Sequence, residues 1–256
     1  MATPVVSLAN GYTPRRVRER GGRDITNTRW TLVLKAGGER SPTGDEALAT
    51  LYTTYWESLY LFLRARGHGQ DDAEELVQAF WLFLLEKGRL RHASHERGRF
   101  RSFLITSLKN FVINEHDRQQ ADKRGGGAPL LSLEIATAEG QFQIEPPTHE
   151  TPEKVFDRRW AMTVLERSFA RLRDGMTPEK ARQFDCLKVH LVGDRTDGGY
   201  ARTGALLGMS EGAARTEVSR LRVRLRDLVE DEIGHTVSRP EEIEDEIRYL
   251  LAALGR

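Results

Sequence analysis

The sequence predicts an all-α protein, and three observations lead to that prediction. Apolar residues recur at three- and four-residue spacing through both halves of the chain, which is typical of amphipathic helices. Capping residues and glycines stand where these periodic stretches begin and end. No alternating pattern of the kind that predicts a strand reaches any length. We therefore predict two small helical domains joined by a flexible linker.

Residues 1–42 are predicted to be a flexible basic N-terminal segment. They are rich in Arg, Gly, Thr and Pro and show no sustained periodicity, and arginines cluster between positions 15 and 23. A charged run of this kind is usually solvated and has no fixed partner.

Residues 43–124 are predicted to form the first helical domain. Its first helix starts at Asp45, and leucines and aromatics recur along it at helical spacing. Gly67 and Gly69 are predicted to end that helix, because glycine is the residue that most readily leaves a helix in a left-handed conformation.

The second helix of this domain is acidic at its start and strongly apolar later. Asp71 is its predicted N-cap, with Glu74 three residues on as in a capping box. Trp81, Phe83 and Leu84 cannot all point into one small core, so we predict an exposed apolar and acidic face that suits a protein partner. The alternative is a fully buried helix.

The third helix mixes basic, amide and aromatic residues. Phe100 and Phe103 are either core residues or part of a binding surface. The residues left for the outer face are Arg101, Lys109, Asn110, Asn114 and Arg118. Basic groups can follow the phosphates of a single strand, while amides and aromatics can hold an unstacked base. This helix is therefore a candidate single-strand-binding surface.

Residues 125–152 are predicted to be the linker, since they open on three glycines and end in "EPPTHETP". Residues 153–239 follow as a second helical domain, and Pro240 is predicted to open a C-terminal extension helix over residues 240–256. Within the second domain Thr177 is a predicted N-cap, with proline after it at the first helical position.

The second domain contains a predicted helix-turn-helix. The short helix "YARTGALLG" ends at Gly208, and a longer basic helix follows with Ser210 as its N-cap. At about 100° per residue, one apolar stripe comprises Ala214, Val218, Leu221, Leu225 and Leu228. The residues predicted on the exposed side are Arg215, Thr216, Ser219 and Arg220. Arginine can bridge guanine edges or bind phosphate.

An alternative for the longer helix is a solvated surface in which the arginines pair with nearby carboxylates, namely Glu217, Asp227 and Glu230. The layout alone does not decide between the two interpretations, because many all-α proteins contain a helix, a glycine and a second helix.

Charge and composition exclude several classes of protein. The formal net charge is only +1, from 39 basic and 38 acidic residues, so any nucleic-acid binding depends on charge segregated onto faces. The one cysteine excludes an internal disulfide, and the histidines show no metal spacing. No apolar run is long enough for a membrane span or a signal peptide. We predict a cytoplasmic protein that is not an enzyme, with no cofactor, metal or small-molecule substrate.

Several of these segments, in this order, make the chain resemble an RNA polymerase sigma factor of the extracytoplasmic-function (ECF) type, in the sigma-70 superfamily. "DAEELVQAF" is similar to the family's core-binding motif. "RGRFRSFLITSLKNFVINEHDRQQADKRGGG" resembles the segment that recognises and melts the minus-ten element. "LGMSEGAARTEVSRLRVRLRDL" resembles the recognition helix for the minus-thirty-five element. The resemblance covers roughly residues 29–253 and implies a sigma region 2-like and a region 4-like domain.

The resemblance implies core RNA polymerase and promoter DNA as partners and leaves an anti-sigma factor open. Contacts to the polymerase would come from Asp72, Glu75, Leu76 and Gln78. The minus-ten bases would lie near Asn110 and Asn114, with the backbone near Arg118, Lys123 and Arg124. The upstream element would face Arg215, Thr216, Ser219 and Arg220. Binding of core polymerase, promoter recognition and DNA melting are the implied activities.

Some positions depart from the family pattern. Ala79 stands where Glu is common, and Gly204 is expected to weaken the first helix of the helix-turn-helix. The alternative function is a stand-alone helix-turn-helix regulator that binds DNA without core polymerase. That alternative would leave the first helical domain without a role.

Overall fold

The computed structural model describes residues 31–38, 41–86, 89–90, 99–122, 149–191, 199–237 and 239–255. Its helices are α1 (Thr31–Ala36), α2 (Pro42–Ala65), α3 (Gln70–Leu85), α4 (Phe100–Asp122), α5 (Pro152–Arg173), α6 (Pro178–Leu187), α7 (Gly199–Leu206), α8 (Glu211–Gly234) and α9 (Glu242–Leu254). A 3-10 turn, Lys188–His190, follows α6. These residues contain no strand, so the predicted all-α class is confirmed.

Packing divides the described residues into two compact units. The first unit runs to Trp160 and includes His235–Glu242, and the second comprises Ala161–Gly234 with the residues from Ile243 on. The division therefore falls within α5. Most of the predicted linker lies outside the described residues, and the predicted domain limits stay predictions.

Helix α1 lies in the segment predicted to be flexible, and that prediction is wrong for Thr31–Ala36. Val33 is fully buried, and α1 packs along α2. So short a helix is not stable alone and depends on such packing, which its own sequence does not reveal. Residues 1–30, which hold the arginine cluster, lie outside the described residues.

Helix α2 begins at Pro42 rather than at the predicted Asp45. Ser41 is the N-cap, and its hydroxyl accepts a hydrogen bond from the backbone N–H of Gly44 at 3.1 Å. Proline suits the first helical position because its fixed φ is already helical and it has no N–H to leave unpaired. The predicted end is confirmed, since Gly67 follows the helix in the left-handed region at φ +94°.

The predicted N-cap of α3 is wrong. The helix begins at Gln70, and Gly69 occupies the capping position without any side-chain hydrogen bond. Asp71 therefore lies in the first helical turn with Asp72. Carboxylates there interact favourably with the positive end of the helix dipole, so the acidic start stabilises α3 by charge rather than by capping.

The expected exposed apolar face of α3 is also wrong. Trp81 and Leu84 are each only 1% exposed. Phe83 is half-buried, packs on Phe111 with ring centroids 5.0 Å apart, and carries the Arg89 guanidinium 3.5 Å from its own centroid. More of the circumference of α3 is buried than its helical wheel predicts, because aromatic residues of both α2 and α4 pack against it.

A buried ion pair joins α4 to the start of α5 within the first unit. Arg101 Nη1 lies 3.1 Å from Asp157 Oδ1, and the two side chains are 7% and 9% exposed. The guanidinium carbon also lies 5.5 Å from the centroid of the Trp160 ring. The prediction that Arg101 faces outward is therefore wrong, because a carboxylate far away in sequence draws it into the core.

Lys109 is the second basic residue of α4 that contacts α5. Its Nζ lies 2.7 Å from Glu153 Oε1, and this hydrogen bond holds the pKa of Glu153 below its ordinary value. Phe100 is fully buried and Phe103 is half-buried against it, with stacked rings 5.9 Å apart. The core interpretation of Phe100 is thus confirmed.

The second unit is built on the apolar stripe of α8. The residues of α8 that are buried are Ala214, Val218, Leu221, Leu225, Val229 and Ile233. The predicted stripe is confirmed except at Leu228, which is half-buried while its neighbour Val229 takes the core position. The helix continues for almost seven turns at 3.6 residues per turn, so a stripe drawn at four-residue steps shifts by one position.

Polar contacts hold the other helices of the second unit. The Thr177 cap is confirmed, since its hydroxyl accepts from the Lys180 backbone N–H at 3.4 Å. Arg171 on α5 lies 2.7 Å from both Asp231 and Glu232 at the end of α8. The last helix starts at Glu242 rather than at the predicted Pro240.

Candidate nucleic-acid and polymerase interfaces

Helix α8 presents the predicted base-reading residues on one exposed side. Arg215, Thr216, Ser219 and Arg220 are all exposed, and the buried stripe of the helix points the other way. We call these four residues the recognition face. Short hydroxyl side chains between two arginines allow a helix to approach a surface closely while the guanidinium groups reach further.

The turn before α8 joins the two helices tightly. Gly208 adopts φ +65°, and the backbone N–H of Met209 donates to the carbonyl of Gly204 at 2.9 Å. The predicted Ser210 cap is confirmed, because its hydroxyl accepts from the backbone N–H of Ala213 at 3.2 Å. The predicted order of short helix, glycine turn and longer helix is therefore present.

Gly204 has a packing role that its expected helix-weakening effect does not suggest. A Cβ added at this position would lie 2.8 Å from the carbonyl oxygen of Met209 and 3.4 Å from Ser210. The absence of a side chain lets the turn close against α7. Gly204 thus fixes where the recognition helix begins.

We expect Gly204→Ala to destabilise α7 and α8 by about 1–3 kcal/mol, the cost of forcing an atom into a packed site. Native-state hydrogen exchange of the full chain measures this as lost protection of the α7 and α8 amides. The matched control is Gly212→Ala, whose added Cβ would meet nothing within 4 Å. Equal protection in the two variants would contradict the packing role.

The ion pairs made by the two arginines of the recognition face lie at the surface. Arg215 Nη2 lies 2.6 Å from Glu211 Oε1, and Arg220 Nη1 lies 3.4 Å from Glu217 Oε2, while the two arginine side chains are 59% and 73% exposed. Such pairs contribute about 0–1 kcal/mol. They do not hold the guanidinium groups against competition from phosphates or base edges.

Other polar side chains of α8 support the helix itself. Arg222 donates from Nη2 to the carbonyl oxygen of His190 at 2.6 Å and so ties α8 to the 3-10 turn. Thr216 donates its hydroxyl to the carbonyl of Gly212 at 2.9 Å, and its hydroxyl oxygen can still accept a hydrogen bond. Arg224 is exposed.

Helix α4 exposes the predicted amides. Asn110 and Asn114 lie one turn apart and are both exposed. Arg118 follows one turn later, exposed and paired with Glu115 at 2.9 Å. The remaining predicted residues of this surface, Lys123 and Arg124, lie outside the described residues.

Ile113 belongs to the same exposed surface, and the sequence analysis missed it. Ile113 is 55% exposed beside Asn114. An apolar side chain among amides offers a non-polar surface to a nucleobase. The sequence pattern does predict this exposure, because Ile113 falls outside the core stripe that contains Leu104, Leu108 and Phe111.

Helix α3 exposes a polar face. Asp72, Glu75 and Gln78 are exposed, and Leu76 is half-buried beside them. Their three- and four-residue spacing brings carboxylates, an amide and part of an aliphatic side chain to neighbouring positions on the helix surface. This combination suits a protein partner with complementary basic and apolar groups.

The described residues contain neither a metal-binding cluster nor a membrane-spanning helix. No cluster of three or more His, Cys, Asp or Glu side chains is arranged to hold a metal ion. None of the described helices combines the length and apolarity needed to cross a membrane.

Comparison with known proteins identifies the family of the chain. A family model described as ECF sigma factor matches residues 39–231. No curated protein and no solved structure matches the chain. The matched range contains the polar face of α3, the exposed amides of α4 and the recognition face of α8, and it covers well over half of the 256 residues. The chain therefore belongs to the ECF sigma factor family.

Proposed function

We propose that this protein is a dissociable subunit of RNA polymerase that binds the core enzyme, recognises promoters and opens the DNA at the minus-ten element. ECF sigma factors act in transcription initiation and bind core RNA polymerase and promoter DNA. The division of labour among the faces of this chain is our proposal. In it, α3 contacts polymerase, α4 holds the unpaired strand, and α8 reads the upstream duplex.

The recognition face carries the proposal. Its two arginines and two hydroxyl residues lie on the exposed side of a helix that begins after a tight glycine turn. A recognition helix in the major groove reads base edges through side chains of this kind. The surface pairs with Glu211 and Glu217 are weak enough to be exchanged for DNA contacts.

The exposed amides of α4 support a role on single-stranded DNA. Asn110 and Asn114 each offer a donor and an acceptor to the edge of an unpaired base. Arg118 one turn on carries a positive charge that can follow the backbone. The N-terminal half of α4 does not offer basic groups to DNA in this way, because Arg101 is buried with Asp157 and Lys109 is paired with Glu153.

Near-neutral total charge fits a protein with two kinds of partner. In this proposal basic faces contact DNA and the acidic side chains of α3 contact polymerase. Basic and acidic residues therefore nearly balance, and the net charge is +1. Neither DNA contact needs to be tight alone, because attachment to one polymerase raises the effective concentration of the second contact.

In vitro transcription tests the proposal. The full chain is added to sigma-free core polymerase with a promoter library, and the transcripts are sequenced. We expect transcripts with defined starts that depend on added protein. If no such transcripts form and the protein alone protects a palindromic site, it is a stand-alone helix-turn-helix regulator instead.

We expect the double variant Leu76→Ala and Gln78→Ala to bind core polymerase about tenfold or more weakly, since it removes an aliphatic and an amide side chain from the two edges of the polar face of α3. Binding is measured by titrating labelled full-length protein with core enzyme. Gln70→Ala serves as the control, because it removes an exposed amide from the first turn of the same helix. Unchanged affinity in the double variant, with both proteins folded, would remove α3 from the polymerase interface.

A further inference from the structure

Beneath the recognition face, three side chains from three separate elements form a stack. The rings of His190 and Tyr200 are stacked with centroids 4.5 Å apart and an angle of 25° between planes. The guanidinium carbon of Arg215 lies 5.5 Å from the centroid of the Tyr200 ring. The stack thus runs from the 3-10 turn through α7 to the first turns of α8.

Hydrogen bonds fix the inner end of the stack. His190 Nε2 lies 2.8 Å from the hydroxyl of Thr203 on α7, and Arg222 on α8 donates to the His190 carbonyl at 2.6 Å. Burial, and then the charge of Arg222, lower the pKa of His190, which favours a neutral ring. Tyr200 is only 8% exposed, so it contacts the rest of the unit on most sides.

The outer end of the stack is the part that reaches solvent. The Arg215 side chain is 59% exposed and meets Glu211 Oε1 at 2.6 Å on its other side. Its guanidinium is therefore restrained by an aromatic ring below it and a carboxylate one turn before it. Arg220 has a 3.4 Å contact with Glu217 and is 73% exposed, and among the described residues no aromatic ring lies beneath its guanidinium.

We propose that Tyr200 is a positioning residue for Arg215, and that it sharpens reading of the upstream element without itself touching DNA. This inference rests on the proposed function of α8. A long side chain held in one direction before binding loses less conformational freedom on binding. The ring supplies that direction, because a guanidinium is attracted to an aromatic face. The two arginines of the recognition face then differ: Arg215 is preorganised and Arg220 is adaptable.

Two substitutions separate positioning from simple packing. Tyr200→Phe keeps the aromatic face and removes only the hydroxyl, whereas Tyr200→Leu keeps apolar bulk and removes the face. Each variant, with full chain and core polymerase, is assayed on promoters that carry every single-base change in the upstream element. The readout is base preference at each position, which a general loss of stability would not alter selectively.

We expect Tyr200→Phe to behave as the unmodified protein. Tyr200→Leu should reduce preference about three- to tenfold, and only at the base whose preference Arg215→Ala also abolishes. In the Arg215→Ala background, Tyr200→Leu should have no further effect on preference. A uniform change at all positions, or a further loss in that background, would overturn the inference.

The controls separate this inference from the function on which it rests. If Arg215→Ala itself leaves base preference unchanged, the assignment of the recognition face fails. If Arg215→Ala abolishes a preference that Tyr200→Leu leaves intact, only the positioning role fails. Should Tyr200→Leu not fold, Tyr200→Met provides the same loss of the ring with a more adaptable side chain, and the same outcomes apply.

Discussion

Replacing both arginines of the recognition face, Arg215→Ala with Arg220→Ala, should abolish upstream-element preference while leaving binding to core polymerase intact. A bidentate arginine–base pair contributes about 1–3 kcal/mol of discrimination, so the loss of two should lower preference by roughly 30-fold or more. Each arginine is exposed, and its ion pair is with a glutamate on its own helix. Their removal therefore should not unfold the second unit.

Transcription from promoters with intact and scrambled upstream elements measures this effect. The matched control is Arg239→Ala with Arg248→Ala, which removes the same charge from two exposed arginines that each pair with a carboxylate three residues away. The single variant Arg224→Ala tests whether α8 also contacts the DNA backbone. If Arg224 contacts phosphate, its loss should weaken all promoters uniformly and reduce the salt dependence.

The result that would contradict the assignment is specific. If the double variant still distinguishes intact from scrambled elements as well as the control does, α8 does not read the upstream duplex through this face. Loss of polymerase binding in the same variant would show that these arginines face protein rather than DNA.

The recognition face was predictable from sequence because every relevant signal is local. Ser210, Gly208 and the apolar stripe of α8 lie within a few turns of one another, and helical geometry alone turns their spacing into faces. The same holds for the Thr177 cap. Leu228 is the exception, and there the choice of core position depends on how the neighbouring helices fill space.

The first unit was less predictable because its arrangement depends on contacts between distant segments. Arg101 is predicted on the exposed side of α4, and its burial depends on contacts with Asp157, 56 residues on, and with Trp160. Trp81 and Leu84 are accommodated because α2 and α4 supply aromatic partners. In the second unit, the low helix propensity of Gly204 can be predicted from sequence, while the close approach of the Met209 carbonyl depends on the backbone path of the turn.

Removing one partner of the buried ion pair should have the largest effect on stability. We expect Asp157→Ala to lower the free energy of unfolding of the first unit by about 3–5 kcal/mol, the usual cost of breaking a buried pair. The reason is desolvation: the Arg101 side chain is only 7% exposed and loses the carboxylate that offsets its removal from water. The neighbouring Trp160 ring, 5.5 Å away, compensates only weakly for a full carboxylate.

Tryptophan fluorescence during urea unfolding of the full chain measures the stability of the first unit. The four tryptophans stand at positions 30, 56, 81 and 160, so those in the described residues all belong to the first unit. The control is Glu153→Ala, which removes the carboxylate of the more exposed pair with Lys109 between the same two helices and should cost about 0–1 kcal/mol.

A second variant separates the charge from the packing. Arg101→Met with Asp157→Ala removes both charges and keeps apolar bulk where the arginine stem lies, so it should recover a substantial part of the stability lost in Asp157→Ala. If the double variant is no more stable than Asp157→Ala, packing of the carboxylate rather than an uncompensated charge explains the loss. If Asp157→Ala resembles Glu153→Ala, the pair does not hold α5 to α4. The first turns of α5 would then depend on other contacts, such as the stacking of Phe156 on Tyr55.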